Sequence, residues 1–178
     1  YCDIVSHHFD EGIPYEEAYS NTTMPSKLLE NVAFRKEKTA TNKNVFLSVA
    51  ALSIDRISKA PYYNGATTAV DTKTYWESLA FDDQKVITAY VNYIGWLIDQ
   101  FHPIYVNYGV ESNCLLWDAT AFAGYKSFLA QVYQQLKTNY PDIPFFVSFI
   151  VDESVEGYNF AGQLLNYTDF IGLSSYAY

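Results

Sequence analysis

Five apolar runs of strand length recur along the chain, and segments of helical spacing separate them. DIVSHHF (3–9) reads as a short, partly apolar strand, and NVFLSVAAL (44–52) as an almost unbroken apolar one. PIYVNYGVE (103–111), PFFVSFIV (144–151) and DFIGLSSYAY (169–178) supply three more. Unbroken apolar runs suit strands covered on both faces, as in parallel sheets. Between them, residues 25–38 predict a loosely amphipathic helix. Residues 82–101 predict a stronger one, with Val86, Tyr90, Tyr93, Leu97 and Phe101 at spacings of three and four. Asp82 is its expected N-cap and Pro103 its stop. Residues 119–138 carry a cleaner stripe of Phe122, Tyr125, Leu129, Val132 and Leu136, and 157–167 predict a short helix. EGIPYEEAYSN (11–21) reads as a loop, and residues 53–80 as a long irregular connection.

Strict alternation of strand and helix implies a parallel sheet with right-handed crossovers. An open doubly wound sheet and a (β/α)8 barrel both satisfy it. No glycine-rich phosphate loop follows any strand, which weakens the nucleotide-binding version. Polar and aromatic residues instead gather where the strands end, at His8, Asp10, Ser53, Arg56, Glu111, Asn113, Ser148, Ser175 and Tyr176. In a barrel those ends form the active face. Strand-like segments stand at both termini, so residues 1–178 are expected to be a single incomplete barrel segment of a longer protein. A complete domain with strands at both ends is the alternative.

Composition narrows the function classes. The 178 residues carry 11 Lys and Arg against 20 Asp and Glu, a formal net charge of −9. No basic patch of the kind that binds nucleic acid is present, and no run of about 18 apolar residues suggests a membrane span. Aromatic residues make up 18%, with 17 tyrosines, more than a core requires. Part of that excess should line a wet surface where ring faces and hydroxyls both matter. Cys2 opens one strand and Cys114 lies just past the end of another. In a parallel sheet they stand about 23 Å apart, beyond the roughly 7 Å reach of a disulfide, so two free thiols are expected.

Glu111 is the sharpest candidate for chemistry. If Tyr105, Asn107, Gly109 and Glu111 alternate onto one strand face, a carboxylate stands at the barrel mouth with a small glycine beneath it. A strand-end glutamate facing solvent is the alternative. Asn113 could orient that carboxylate or a sugar hydroxyl, or shape a turn. His7 and His8 point to opposite faces of any regular strand, so both cannot ligate one ion and no metal is expected. His8 and Asp10 are instead candidates for binding a sugar hydroxyl. Arg56 could fix a carboxylate at the mouth or form a loop ion pair with Asp55. Trp76, Trp117, Tyr62 and Tyr63 lie in strand-to-helix connections, where they could stack on pyranose rings or close a satellite core. Trp96 reads as packing. A Ser-His-Asp hydrolase lacks the usual Gly-x-Ser-x-Gly elbow.

YVNYGVESN, then PFFVSF, then DFIGLSSYAY resemble strands four, five and six of the large clan of retaining glycoside hydrolases with (β/α)8 barrels. The likeness is to family 53 in particular, the endo-β-1,4-galactanases. There strand four ends in Gly-Asn-Glu and strand six reads like Asp-x-Ile-Gly-x-Ser-x-Tyr. The opening DIVSHHFDEGIPYEEAY also resembles strand two of related bacterial barrels. The resemblance implies a partial TIM (β/α)8 barrel of the α/β class, holding parallel strands two to six. It implies that Glu111 is the general acid/base, and that Tyr176 is the strand-six tyrosine that touches the nucleophile. From their places at or just past strand ends, His8, Asp10, Arg56, Asn113 and Trp117 are expected to meet the substrate. The nucleophile would be a glutamate at the end of strand seven, outside this segment, and the substrate an oligosaccharide or polysaccharide. No cofactor is implied, and a secreted, periplasmic or cell-surface location is. Val110 stands where the family has an asparagine that binds the 2-hydroxyl. That departure leaves open a carbohydrate-binding or scaffold barrel without catalysis.

Overall fold

The computed structural model describes residues 2–56, 58–113, 118–151 and 155–175. The elements run β1 (Ile4–Phe9), α1 (Tyr15–Tyr19), α2 (Ser26–Lys38), β2 (Asn44–Val49), α3 (Val70–Ser78) and α4 (Gln84–Phe101). They continue with β3 (Tyr105–Gly109), α5 (Ala119–Asn139), β4 (Phe145–Ile150), α6 (Val155–Leu164), a 3-10 turn (Leu165–Tyr167) and β5 (Ile171–Ser174). All five strands are parallel and lie side by side in chain order. The fold is thus α/β, a partial TIM-type barrel.

The sheet curls. The rings of Phe46 on β2 and Phe146 on β4 stack with centroids 5.6 Å apart, although β3 lies between those strands. In a flat sheet two strand spacings would separate them by about 9.6 Å. Both rings stand on the concave side. On the convex side the largest helices, α4 and α5, bury their apolar stripes against Leu47, Val106, Phe145 and Val147. Tyr90 of α4 reaches the sheet. Its hydroxyl lies 2.9 Å from the Val49 carbonyl and 2.8 Å from that of Tyr108, so one proton is shared between the ends of β2 and β3.

Several expected boundaries shift. The cap of α4 is Asp83 rather than Asp82, and its carboxylate accepts from the Lys85 N–H at 2.8 Å. Asp118 caps α5, accepting from Thr120 and Ala121. The helix α4 ends at His102 in the left-handed conformation, directly before Pro103. The stretch 53–80 is not wholly irregular. It contains α3, whose Trp76 is buried and stacks on Tyr15 with ring centroids 5.6 Å apart. The Trp76 indole N–H donates to Glu16 at 2.8 Å. Tyr62 and Tyr63 are buried in the same region. Those three aromatics belong to the one buried core and offer no ring face to a sugar. Trp96 packs against the core as expected. Cys2 is a free thiol, and Cys114 lies outside the described residues.

Asp169 and Gly172, two residues of the strand-six pattern, have structural work here. The Asp169 carboxylate accepts from the Phe145 N–H, the Tyr133 hydroxyl and Lys137, pinning the start of β4 to α5. Burial pulls its acidity the other way, but these donors hold the carboxyl below its ordinary range. A Cβ at Gly172 would stand 2.6 Å from the Phe146 ring, so only glycine lets that ring lie across β5.

Candidate active site

Asn107, the lone polar side chain of β3, organises the end of that strand. Between Asn107 and Gly109 the pairing with β4 slips: Asn107 pairs with Phe146 while Gly109 pairs with Val147. Two steps on β3 match one on β4, which is a bulge. Asn107 bridges it, accepting from the Gly109 N–H at 3.2 Å and donating to Ser148 Oγ at 3.0 Å. The simple alternation expected for 105–111 therefore fails at Gly109. A Cβ there would meet Val147 and Leu129, on the helix-covered side. Gly109 does not lie beneath the carboxylate. The bulge resets the chain, and Val110 and Glu111 both line the concave cavity.

Glu111 sits in a turn just past the strand with φ of 52°, and is only 7% exposed. Its N–H donates to Ser148 Oγ at 3.0 Å. Its Oε2 accepts from Arg56 Nε at 2.9 Å in a nearly buried ion pair. Arg56 has φ of 61° and also donates from Nη1 to the Ser53 carbonyl at 3.0 Å. Non-glycine residues in this left-handed region cost about 1–3 kcal/mol each and cluster at functional sites. Here two of them face each other across one cavity. Asp55 is engaged elsewhere, accepting from Ser53 Oγ at 2.5 Å, so the Arg56 partner is Glu111.

His8 stands beside them. Its Nδ1 lies 2.9 Å from Ser48 Oγ and its Nε2 3.4 Å from Asp10 Oδ2. With the Nε2–H facing a carboxylate, Nδ1 is left to accept the Ser48 proton. Burial lowers the His8 pKa, and Arg56 adds to that, while Asp10 and Glu111 pull upward. His7 faces the other way, bonding Thr39 Oγ1 at 2.9 Å and packing on Phe101. Among the described residues no three His, Cys, Asp or Glu side chains group as metal ligands would, and no helix is long and apolar enough to cross a membrane.

The cavity above the carboxyl ends of the strands has a volume of about 520 Å³, and its polar lining includes His8, Ser48, Arg56, Asn107, Glu111 and Ser148. Ser148 Oγ accepts from both Asn107 and the Glu111 N–H. Its own proton has no acceptor among the described residues and is available to a ligand. The structure thus brings His8, Arg56 and Glu111 together, with Asp10 joined through His8. Asn113 is not part of the lining. Its amide both accepts from the Ile150 N–H at 2.7 Å and donates to the Ile150 carbonyl at 3.0 Å, holding the end of β4. Trp117 and Tyr176 lie outside the described residues. Sequence reasoning places Ser148 among the strand-end polar residues and Asn107 on the face of Glu111 but gives neither a site role, and it does not select Ser48 at all. Each is the isolated polar residue facing inward from an otherwise apolar strand, which is the signal that could have found them.

No family model matches the chain, and no curated relative does. Among solved structures, the chain is similar to the family-53 glycoside hydrolase catalytic domain of Ignisphaera aggregans, with TM-score 0.55 and 17% identity over 96% of this chain and 46% of that one. A structure of fungal β-1,4-galactanases also matches, with TM-score 0.49 and 12% identity over 85% of this chain and 49% of that one. The chain spans about half the length of these neighbours. The chain therefore shares the fold of part of the Ignisphaera aggregans barrel, and at such identity it is the fold alone that is shared.

Proposed function

We propose that this chain carries the acid/base side of a retaining glycoside hydrolase acting on a polysaccharide. The observation that carries the reading is the position of Glu111. It is a buried carboxylate at the carboxyl end of the central strand, held in the cavity by Ser148 and Arg56. Active sites of such barrels form at that end. Glu111 would protonate the glycosidic oxygen as the bond breaks, then take a proton from the incoming water. Retention needs a second carboxyl group about 5–5.5 Å away as nucleophile. Among the described lining residues Glu111 is the one carboxylate. The sequence resemblance implies that the nucleophile is a glutamate outside residues 1–178 and that Tyr176 is the tyrosine that touches it; Trp117 is carried as an expected substrate contact. His8, Asp10 and Ser48 form a linked set that would receive sugar hydroxyls, and Arg56 positions the Glu111 carboxylate.

A second reading is a carbohydrate-binding barrel that has lost catalysis. The Arg56–Glu111 pair favours it, because a guanidinium in contact stabilises the carboxylate form and not the proton donor. Val110 favours it too. Paired rate measurements on the protein and its Glu111→Gln variant separate the two. Gln keeps the shape and cannot donate the proton. Turnover of substrates with poor leaving groups is expected to fall about 10²–10⁴-fold, and substrates with good leaving groups should be affected far less in the first step. Unchanged turnover on a polysaccharide would remove the role given to Glu111. Binding without any turnover in the unaltered protein would establish the second reading.

A further inference from the structure

We infer that the sugar taken by this cavity carries a carboxylate, as a uronic acid does, and that Arg56 is the residue that selects it. The inference rests on the carbohydrate reading above and names the substrate class within it. Of the five N–H donors of a guanidinium, Arg56 spends one on Glu111 and one on the Ser53 carbonyl. The other three have no acceptor among the described residues, although the side chain lines the cavity and is only 12% exposed. Guanidinium donors left unengaged at a cavity wall suit a planar acceptor such as a carboxylate, which can take two of them at once. The available Ser148 proton adds a further donor to the same lining.

The charge balance points the same way. At rest the Arg56 cation is neutralised by the Glu111 carboxylate. For Glu111 to act as an acid it must hold a proton, and the nearly buried Arg56 would then lose the counter-ion it has among the described residues, which is unfavourable. A neutral sugar offers no replacement. A uronate does: its carboxylate takes over the guanidinium, and Glu111 takes one proton from solvent. Arg56, the ligand carboxylate and a protonated Glu111 then balance one another among the described lining residues. The acidic substrate thereby charges its own general acid. The other groups facing this exchange are His8 and Asp10, with Arg35 acting on His8 from α2. The net charge of −9 opposes approach from afar. Salt screens that repulsion beyond about 8–10 Å, so the local cation decides at contact.

The test is calorimetric titration of the protein with a neutral galacto-oligosaccharide and an oligogalacturonide of equal length, at pH 7 in two buffers of different ionisation heat. The acidic ligand is expected to bind at least roughly tenfold more tightly, with uptake of about one proton per site. Arg56→Gln should erase the preference, and Arg56→Lys, which keeps the charge without the fork, should retain part of it. Glu111→Gln should keep the preference and lose the proton uptake, which assigns the proton to Glu111 and not to His8. Binding of the neutral ligand alone overturns the inference and leaves the carbohydrate reading standing. So does equal affinity, a preference that survives Arg56→Gln in a variant of unchanged circular dichroism, or acidic binding without proton uptake. Failure of both ligands to bind overturns the carbohydrate reading itself.

Discussion

The two faces of one curled sheet solve opposite problems. On the convex face the large side chains of β2, β3 and β4 are buried beneath the helices, and tyrosine hydroxyls finish their hydrogen bonds within the protein. Tyr90 meets two carbonyls, and Tyr125 meets Ser112 Oγ at 2.8 Å. Burial pushes the phenols of Tyr90, Tyr108 and Tyr125 far above their ordinary range, so they remain neutral. On the concave face, the same strands present Ser48, Asn107 and Ser148 one residue away from Leu47, Val106 and Val147. There the hydrogen bonds are left incomplete and an ion pair stands at the mouth. Alternation along a strand is what permits the division: one side is spent on stability, and the other keeps donors and acceptors for a ligand.

If that division holds, changes on the two faces should have separable consequences. The largest stability effect is expected from Leu129→Ala in α5, which empties a fully buried position against β3 and should cost about 2–5 kcal/mol. Denaturant unfolding measures it, and carbohydrate affinity of the folded fraction should be unchanged. Tyr90→Phe is smaller. It removes the proton shared by the Val49 and Tyr108 carbonyls and should cost about 1–3 kcal/mol. A matching loss of affinity in either variant would mean that the faces are not separable.

The smallest effect concerns pH. His7 and His8 both have pKa values lowered from 6.5, chiefly by burial. The unfolded chain therefore binds more protons than the folded one as pH falls below 6.5. Stability is full above that value, declines as pH drops toward the lowered folded values, and levels off beneath them. Melting temperatures between pH 7.5 and 5 should show this decline, and His8→Gln should flatten part of it. An unchanged profile would show that His8 has the same proton affinity folded and unfolded.

The convex face was the more legible one. Spacings of three and four located α4 and α5 because a buried stripe leaves a periodic mark in the sequence. The ends of β2 and β3 were overrun, since apolar residues continue past Val49 and Gly109 into turns. The short α1 and the polar α3 carry too little periodicity to declare themselves. At the site, a strand-end glutamate after a tyrosine-rich strand was visible as Glu111. The way it reaches the cavity was not, because a bulge depends on how Asn107 meets Ser148 across two strands. Asn113 reads as orienting a carboxylate or sugar hydroxyl or as shaping a turn, and its amide is engaged with the Ile150 backbone at the end of β4. Trp76, Tyr62 and Tyr63 show the same limit: a loop aromatic that binds and one that packs have the same sequence signature. Arg56 met Glu111 through a left-handed turn that nothing in ALSIDR announces.

Neighbouring histidines on β1 give the most direct test of the division, because His7 faces the helices and His8 the cavity. The imidazole resonances of both should be followed by NMR while an oligosaccharide is titrated into the protein. The expected result is a saturable shift of His8 with His7 unmoved. Equal shifts of the two, or a His8 signal that stays fixed at saturating ligand, would contradict the assignment of carbohydrate chemistry to the concave face.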